Sequence, residues 1–432
     1  MRVLVSVMPI AGHVAPVSGV VAELIRRGHD VAVYTGSRHA DRFQALGAEV
    51  TTWSTEIDFA ELDLTSPLRG PRSLVDVARR VQRHFVGSAA QQATDLAALL
   101  ERRPADLLVS DVLALGLGLH AERSGRAWAG MNLLPLNYPS RDLPPPGFRV
   151  APARGPLGRA RDRALAAAYR AATAGAQRSY NQARASLGLP PDRQPYGTSL
   201  FSPWLTLLTG APGLERPRSD LPPPVHFVGR LAPARAGVDA HAPLPTRPDG
   251  PGRPLVVVTQ GTHNLRPDDL LVPTLRGLAA LPVDVVATSG RAGVTDLGVA
   301  VPSNARVVDF LDFPTALPAT DVLVTNGGWG GLLEALTHGV PLVVAGGDID
   351  KPENAARVAR AGAGIDLRTG RPRPAAIATA VRRVLDDPRY ATQADRLGRE
   401  LAALGGASAA VDLLERLAAT GAPLRRAGNP WA

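Results

Sequence analysis

The chain has 432 residues, 45% of them hydrophobic and 20% charged, which is enough for two ordinary domains with a core each. Its net charge of +9 rests on 48 basic residues against 39 acidic ones, but the arginines are spread along the chain and form no tract, so nucleic acid is not the expected partner. Cysteine is absent, which excludes disulfides, thiolate metal sites and thiol nucleophiles and fits a reducing, cytoplasmic setting.

Residues 2–8, RVLVSVM, are an apolar, β-rich run of the kind buried on both faces of a parallel sheet. Pro9, Gly12 and His13 break the run, so it reads as a first strand and not as a signal peptide. No stretch approaches the roughly 20 apolar residues that cross a bilayer, and stable membrane insertion is not expected. Apolar residues at helical spacing predict a helix over 17–27, with Gly28 as its stop, and residues 29–36 predict a second strand. Together these make one βαβ unit with a right-handed crossover. A further buried strand is expected over 105–111, followed by a Gly- and Ala-rich helix up to Gly125. Residues 139–157 read as a loop and 158–186 as a helical excursion.

From 211 to 254 the chain is dense in Pro, Gly and Arg, interrupted only by VHFVGRL at 225–231, and the domain boundary is expected there. The second half repeats the grammar of the first. Strands are expected over 254–261, 283–290, 305–311, 321–328 and 341–347, with helices over 267–280, 331–339 and 352–361 and helical character from 383 to 420. The expected fold is α/β, with two doubly wound, Rossmann-like domains facing a cleft. Their bounds are 1–215 and 216–405, with a helix in 406–432 packing back across the joint.

Ligands of open parallel sheets bind beyond the C-terminal strand ends. His13 follows the first strand and Asp111 ends the 105–111 strand, so a sheet could bring them together. A carboxylate beside an imidazole fixes its tautomer and makes it a better general base. Taken alone, a turn-capping His and a helix-capping Asp explain the same two residues. The strongest local signal is residues 325–358, where a strand runs into Gly327-Gly328-Trp329-Gly330-Gly331 and then a helix. Backbone amides at such a helix start can cradle a diphosphate, and glycines let it approach closely. Glu334 lies one turn into the helix, where it could hold a ribose diol, and Asp348, Asp350 and Lys351 close the next strand. Trp329 reads more readily as a packing wedge than as a sugar platform.

On these residues the chain resembles the bacterial branch of the GT1 glycosyltransferases, which act on small molecules of antibiotic and natural-product type and have the double-Rossmann GT-B architecture. The resemblance is carried by GHVAPVSGVVAELIRRGHDVAVYTG, by VHFVGRL and VVVTQGT, and by the 325–358 block, and it covers nearly the whole chain. It implies His13 as the catalytic base and Asp111 as its partner. On the donor side it implies Gly261 and Thr262 at the phosphates, Phe310 and Leu311 at the nucleotide base, and Gly328, Gly330 and Gly331 as the diphosphate loop, with Gly12 counted among the donor-binding residues. Glu334 resembles the ribose-binding acid, and Asp350 with Lys351 falls where the family usually has Asp-Gln on the sugar. Three positions depart from the pattern: Asn326 replaces a phosphate-binding His, Gly331 a Ser or Thr, and Lys351 the Gln. Lys351 is the only lysine in the chain, which suggests an ammonium aimed at the donor sugar or its phosphate.

The implied activity is an inverting transfer of a sugar from a UDP- or dTDP-sugar to a hydroxyl of a small acceptor of the secondary-metabolite class, needing neither cofactor nor metal. The partners expected are the nucleotide-sugar donor and that acceptor, whose segments would be those near 53–90 and 131–150, with a homodimer left open. Other readings of the same fold are a nucleotide-sugar epimerase or a lipid-saccharide glycosyltransferase. A catalytically silent partner protein is the reading of a different class, with Asn326 in its favour and the presence of His13 and Asp111 against it.

Overall fold

The computed structural model describes residues 1–54, 85–148, 150–234, 252–261, 264, 266–347 and 349–431. They fall into two compact units. One holds the described residues up to 234 and again those from 404 onward, and the other holds 252–403.

In the first unit β1 (Arg2–Ser6), β2 (Asp30–Thr35), β3 (Glu49–Thr52), β4 (Leu107–Asp111), β5 (Trp128–Asn132), β6 (Leu205–Thr209) and β7 (Val225–Gly229) form one parallel sheet in the order β3-β2-β1-β4-β5-β6-β7. Successive side chains of a strand face opposite ways, so β1 sends Val3 and Val5 to one face and Leu4 to the other. Val3 and Val5 pack with Val14, Val17, Val21 and Leu24 of α1 (Ala11–Arg26). Leu4 packs with Leu96 and Leu99 of α2 (Ala89–Arg102) and Leu117 of α3 (Leu115–Ser124). The continuous apolar run at the N-terminus is thus a strand covered on both faces, as its composition predicts.

The helix expected over 17–27 begins at Ala11. Pro16 sits inside it and brings no N–H to the Gly12 carbonyl, a local loss that burial of the helix's valines outweighs. Gly28 ends it as predicted: its φ of +80° lets its amide reach the Ile25 carbonyl at 2.9 Å, and the His29 amide returns to Leu24 at 3.1 Å. The helical excursion is α4 (Gly155–Ser186), of which only Tyr180, Ala183 and Arg184 are buried. Arg184 binds Glu122 of α3 through both terminal nitrogens, at 2.7 and 2.6 Å.

The first unit extends beyond the expected limit at 215. VHFVGRL supplies β7, which pairs with β6, so the Pro- and Gly-rich residues before it are a loop inside the unit and not its end. The helical region from 383 resolves into α8 (Pro374–Asp386), α9 (Arg389–Ala403) and α10 (Gly406–Thr420). Of these, α10 belongs to the first unit, where Val411, Leu414 and Leu417 join the core beneath α1. Arg27 binds Asp412 at 2.6 Å and Glu415 at 2.9 Å, tying the end of α1 to that helix.

In the second unit β8 (Leu255–Thr259), β9 (Asp284–Thr288), β10 (Ala305–Val308), β11 (Val322–Thr325), β12 (Leu342–Val344) and β13 (Gly364–Asp366) form a parallel sheet in the order β10-β9-β8-β11-β12-β13. One face is covered by α5 (Leu271–Leu278) and α8, through Leu271, Leu275, Ile377 and Val381. The strand expected over 305–311 stops at Val308. Both sheets reverse direction of growth at one place, between β1 and β4 in the first and between β8 and β11 in the second. At such switch points the loops leave on opposite sides and open a crevice at the strand ends. Among the described residues no helix is long and apolar enough to cross a membrane.

Candidate active site

His13 and Asp111 meet at the switch point of the first sheet. Asp111 is the last residue of β4, and His13 is the third residue of α1, inside the helix and not in the turn before it. Both Asp111 carboxylate oxygens lie 2.9 Å from His13 Nδ1. The carboxylate is itself held in place. The Met8 amide donates to Oδ2 at 3.0 Å and the Leu113 amide to Oδ1 at 3.2 Å. His13 is 6% exposed and Asp111 1%, so water competes weakly for these bonds. With a carboxylate on Nδ1, the neutral imidazole carries its hydrogen there and keeps its lone pair on Nε2. Such an imidazole can accept a proton at Nε2 while the carboxylate stabilises the cation formed. Gly12, next to His13, is exposed, and a Cβ placed on it would meet no atom within 4 Å.

Gly261 and Asn326, two of the expected donor-side residues, meet at the switch point of the second sheet. Gly261 follows β8 with φ of +73°, and Asn326 follows β11. The Asn326 amide donates to the Gln260 carbonyl, and a Cβ on Gly261 would lie 3.4 Å from the same nitrogen. Asn326 therefore links the two loops at this crevice through one of its N–H groups, a role that its position in the motif does not reveal. Thr262 lies outside the described residues.

The helix after the glycines, α6 (Trp329–Thr337), starts two residues earlier than expected, with Gly328 as its N-cap. Its first amides have no acceptor inside the helix and carry the positive end of its dipole. A Cβ on Gly328 or Gly330 would meet nothing within 4 Å, and one on Gly331 only Phe313 Cε2 at 4.0 Å. The glycines therefore leave open space in front of a helix start, which suits an anion. Trp329 is 5% exposed and has almost no face to offer a sugar. Glu334 is half-buried on the same helix. Phe310 and Leu311 lie half-buried in the loop after β10, and Phe313, two residues on, is the side chain that reaches Gly331.

Asp350 is the N-cap of α7 (Lys351–Arg360), whose first residue is Lys351. Ile349 just before it has φ of +51°, a left-handed backbone costly for a β-branched residue and of the sort found at binding sites. A Cβ on Gly346 would lie 2.5 Å from the Lys351 carbonyl oxygen, and one on Gly327 would lie 2.9 Å from Val344. Asn354, one turn beyond Asp350, donates its side-chain amide to the Gly327 carbonyl and to Asp350 Oδ2, both at 2.9 Å. Sequence reasoning passed over Asn354. Its only signal there is helical spacing from Asp350. The acceptor segment expected near 53–90 lies largely outside the described residues, since 55–84 are not among them.

Residues 273–417 match the family described as Erythromycin biosynthesis protein CIII-like, C-terminal domain. The chain is 38% identical over 423 residues to the 4'-demethylrebeccamycin synthase of Lentzea aerocolonigenes, covering 96% of this chain and 99% of that protein. The chain belongs to the GT1 small-molecule glycosyltransferases of the antibiotic-biosynthesis type. This glycosyltransferase is also 30% identical over 440 residues to UDP-glycosyltransferase 2 of Phaeomoniella chlamydospora, covering 97% of this chain and 96% of the other. Its fold matches the crystal structure of the glycotransferase of kitacinnamycin with a TM-score of 0.73 at 24% identity, covering 96% of this chain and 98% of that one. Two parallel-sheet α/β domains of GT-B architecture are therefore the fold of this enzyme.

Proposed function

We propose that this glycosyltransferase moves a sugar from a UDP- or dTDP-sugar to a hydroxyl of a small-molecule acceptor, with inversion at the anomeric carbon and with His13 as general base. The observation that carries the reading is the buried His13–Asp111 pair at the switch point, with both carboxylate oxygens on Nδ1. The acceptor oxygen attacks the anomeric carbon, its proton passes to Nε2, and the bond from that carbon to the diphosphate breaks with its electron pair on the leaving oxygen. A single displacement with no enzyme nucleophile inverts the centre. The amides at the start of α6 take up the charge of the departing diphosphate, aided by the open space at Gly328 and Gly330. Glu334 holds the ribose, and Asp350 and Lys351 serve the sugar or its phosphate. A helix start can carry that charge without a metal, so turnover is expected to survive a chelator, and full dependence on Mg²⁺ would reject this part of the reading.

Purified protein incubated with UDP- and dTDP-sugars and a panel of hydroxylated acceptors should give a product heavier by one sugar residue, with the anomeric configuration inverted by NMR. His13→Ala should lose at least about 100-fold in kcat while still binding nucleoside diphosphate. Retention of configuration, or a His13→Ala enzyme as fast as wild type, would sink the mechanism.

A further inference from the structure

The two loops of the second unit that flank α6 and α7 run against each other through backbone and glycine. Gly327 has φ of +92°, and a Cβ on it would lie 3.4 Å from the Lys351 carbonyl oxygen as well as 2.9 Å from Val344. Glycine packing of this kind brings backbones close but does not lock their register. A directional bond is needed for that, and Asn354 makes two. Its side-chain nitrogen donates to the Gly327 carbonyl, inside the glycine loop, and to Asp350 Oδ2, at the start of α7, each at 2.9 Å. Both partners are acceptors, so only the amide nitrogen can face them, and the orientation of the side chain follows from its surroundings.

Asn354 is 0% exposed, and its Oδ1 is buried with no hydrogen-bond partner among the described residues. A buried carbonyl left unsatisfied opposes stability, so packing alone does not account for an amide at this position. What the amide supplies is the pair of donors. One donor holds the carboxylate of Asp350 by its side chain, while the Asn354 backbone amide returns to the Asp350 carbonyl at 3.0 Å. The other holds the peptide that directly precedes the helix start at Gly328.

We infer that Asn354 is a positioning residue that sets the distance between the diphosphate-binding glycine loop and the sugar-contacting carboxylate of Asp350, so that both engage one nucleotide-sugar in register. The inference rests on the donor-site reading above, and it adds a residue that touches no substrate. Catalysis by positioning is sensitive to displacements of an ångström or less, so losing the bracket should act on donor binding and turnover together. The acceptor, bound elsewhere, should be unaffected.

The test uses the full chain and two variants, Asn354→Ala and Asn354→Asp. The second keeps the volume but presents only oxygens to the Gly327 carbonyl and to Asp350. UDP and dTDP are titrated by calorimetry, and kcat and KM are measured with the nucleotide-sugar that wild type uses. Expected is about a 10-fold or greater loss in nucleoside diphosphate affinity and in kcat for both variants, with acceptor KM within about twofold of wild type. In wild type labelled with ¹⁵N-asparagine, the side-chain amide of Asn354 should exchange slowly and shift when the nucleoside diphosphate is added, a reading that needs no variant to fold. Variants that melt lower yet bind and turn over like wild type, or an Asn354 amide that exchanges freely and ignores the nucleotide, would overturn the inference. A wild type that binds neither UDP nor dTDP would instead overturn the donor-site reading itself.

Discussion

At the scale of single residues, the informative features are those where a side chain's partners limit what it can do. Asp111 accepts from His13, from the Met8 amide and from the Leu113 amide, so its orientation is over-determined. Asp111→Asn would place an NH2 against at least one of these donors, and the imidazole would lose the carboxylate charge that stabilises its cation. The expected result is a kcat lowered by about 100-fold to 10,000-fold with donor affinity unchanged, read by steady-state kinetics and nucleotide titration. A variant retaining wild-type kcat would remove Asp111 from the mechanism. Asn326 shows the converse. Its place in the motif marks the loss of a cation, while its amide bond to the Gln260 carbonyl gives it a linking role between loops.

At the scale of elements, the start of α6 trades helix stability for open space beside its first amides. Gly330 lies in the helix with open space around its Cβ position. Gly330→Ala should therefore raise stability by up to about 1 kcal/mol while adding a methyl group where the diphosphate is proposed to sit. A higher melting temperature with a higher donor KM is expected, and an unchanged KM would remove the phosphate from that face of the helix. The other end of α1 responds to pH. Hydrogen bonding from Arg26 first, and from Arg27, holds the Glu23 carboxyl at about 2, down from its ordinary 4.5, against the opposing pull of burial. A depressed carboxylate contributes stability that is fully present above pH 4.5 and is lost as pH falls toward 2. Glu23→Gln should thus melt below wild type at neutral pH and converge with it as acid is added across that window. Parallel melting curves at all pH values would contradict this.

At the scale of the whole molecule, the first unit is completed by the end of the chain. Leu414 is fully buried in the core with Val17 and Val21, nearly four hundred residues away in sequence. Leu414→Ala should cost about 2–5 kcal/mol in urea unfolding, although the residue is far from any strand of that sheet in sequence. A loss below about 0.5 kcal/mol would mean that α10 is an appendage and not part of the core.

The boundary between legible and hidden follows range. Apolar runs such as 2–8 and 321–328, and the stop at Gly28, are written locally, because strand burial and a left-handed helix end depend on neighbouring residues alone. The strand β3, four residues with Val50 as its one apolar side chain, went unread, since pairing with β2 is what makes it a strand. The start of α1 was misplaced because Gly12 and His13 read locally as a turn, while tertiary burial of Val14 and Val17 carries the helix back to Ala11. The limit at 215 fell short because β7 is assigned by its partner β6 and not by the Pro-rich composition around it.

For the site, the residue types and their order made His13, Asp111 and the glycine loop candidates, because charge, ring nitrogen and missing side chain are properties of the residues themselves. Which of them meet was decided by strand order. Only the parallel pairing of β1 with β4, and of β8 with β11, brings loops about a hundred and about sixty-five residues apart to one crevice each. Asn354 is the clearest case. By itself it is an ordinary asparagine in a helix, and it becomes a bracket only when folding buries its amide between a carbonyl twenty-seven residues back and a carboxylate one turn away.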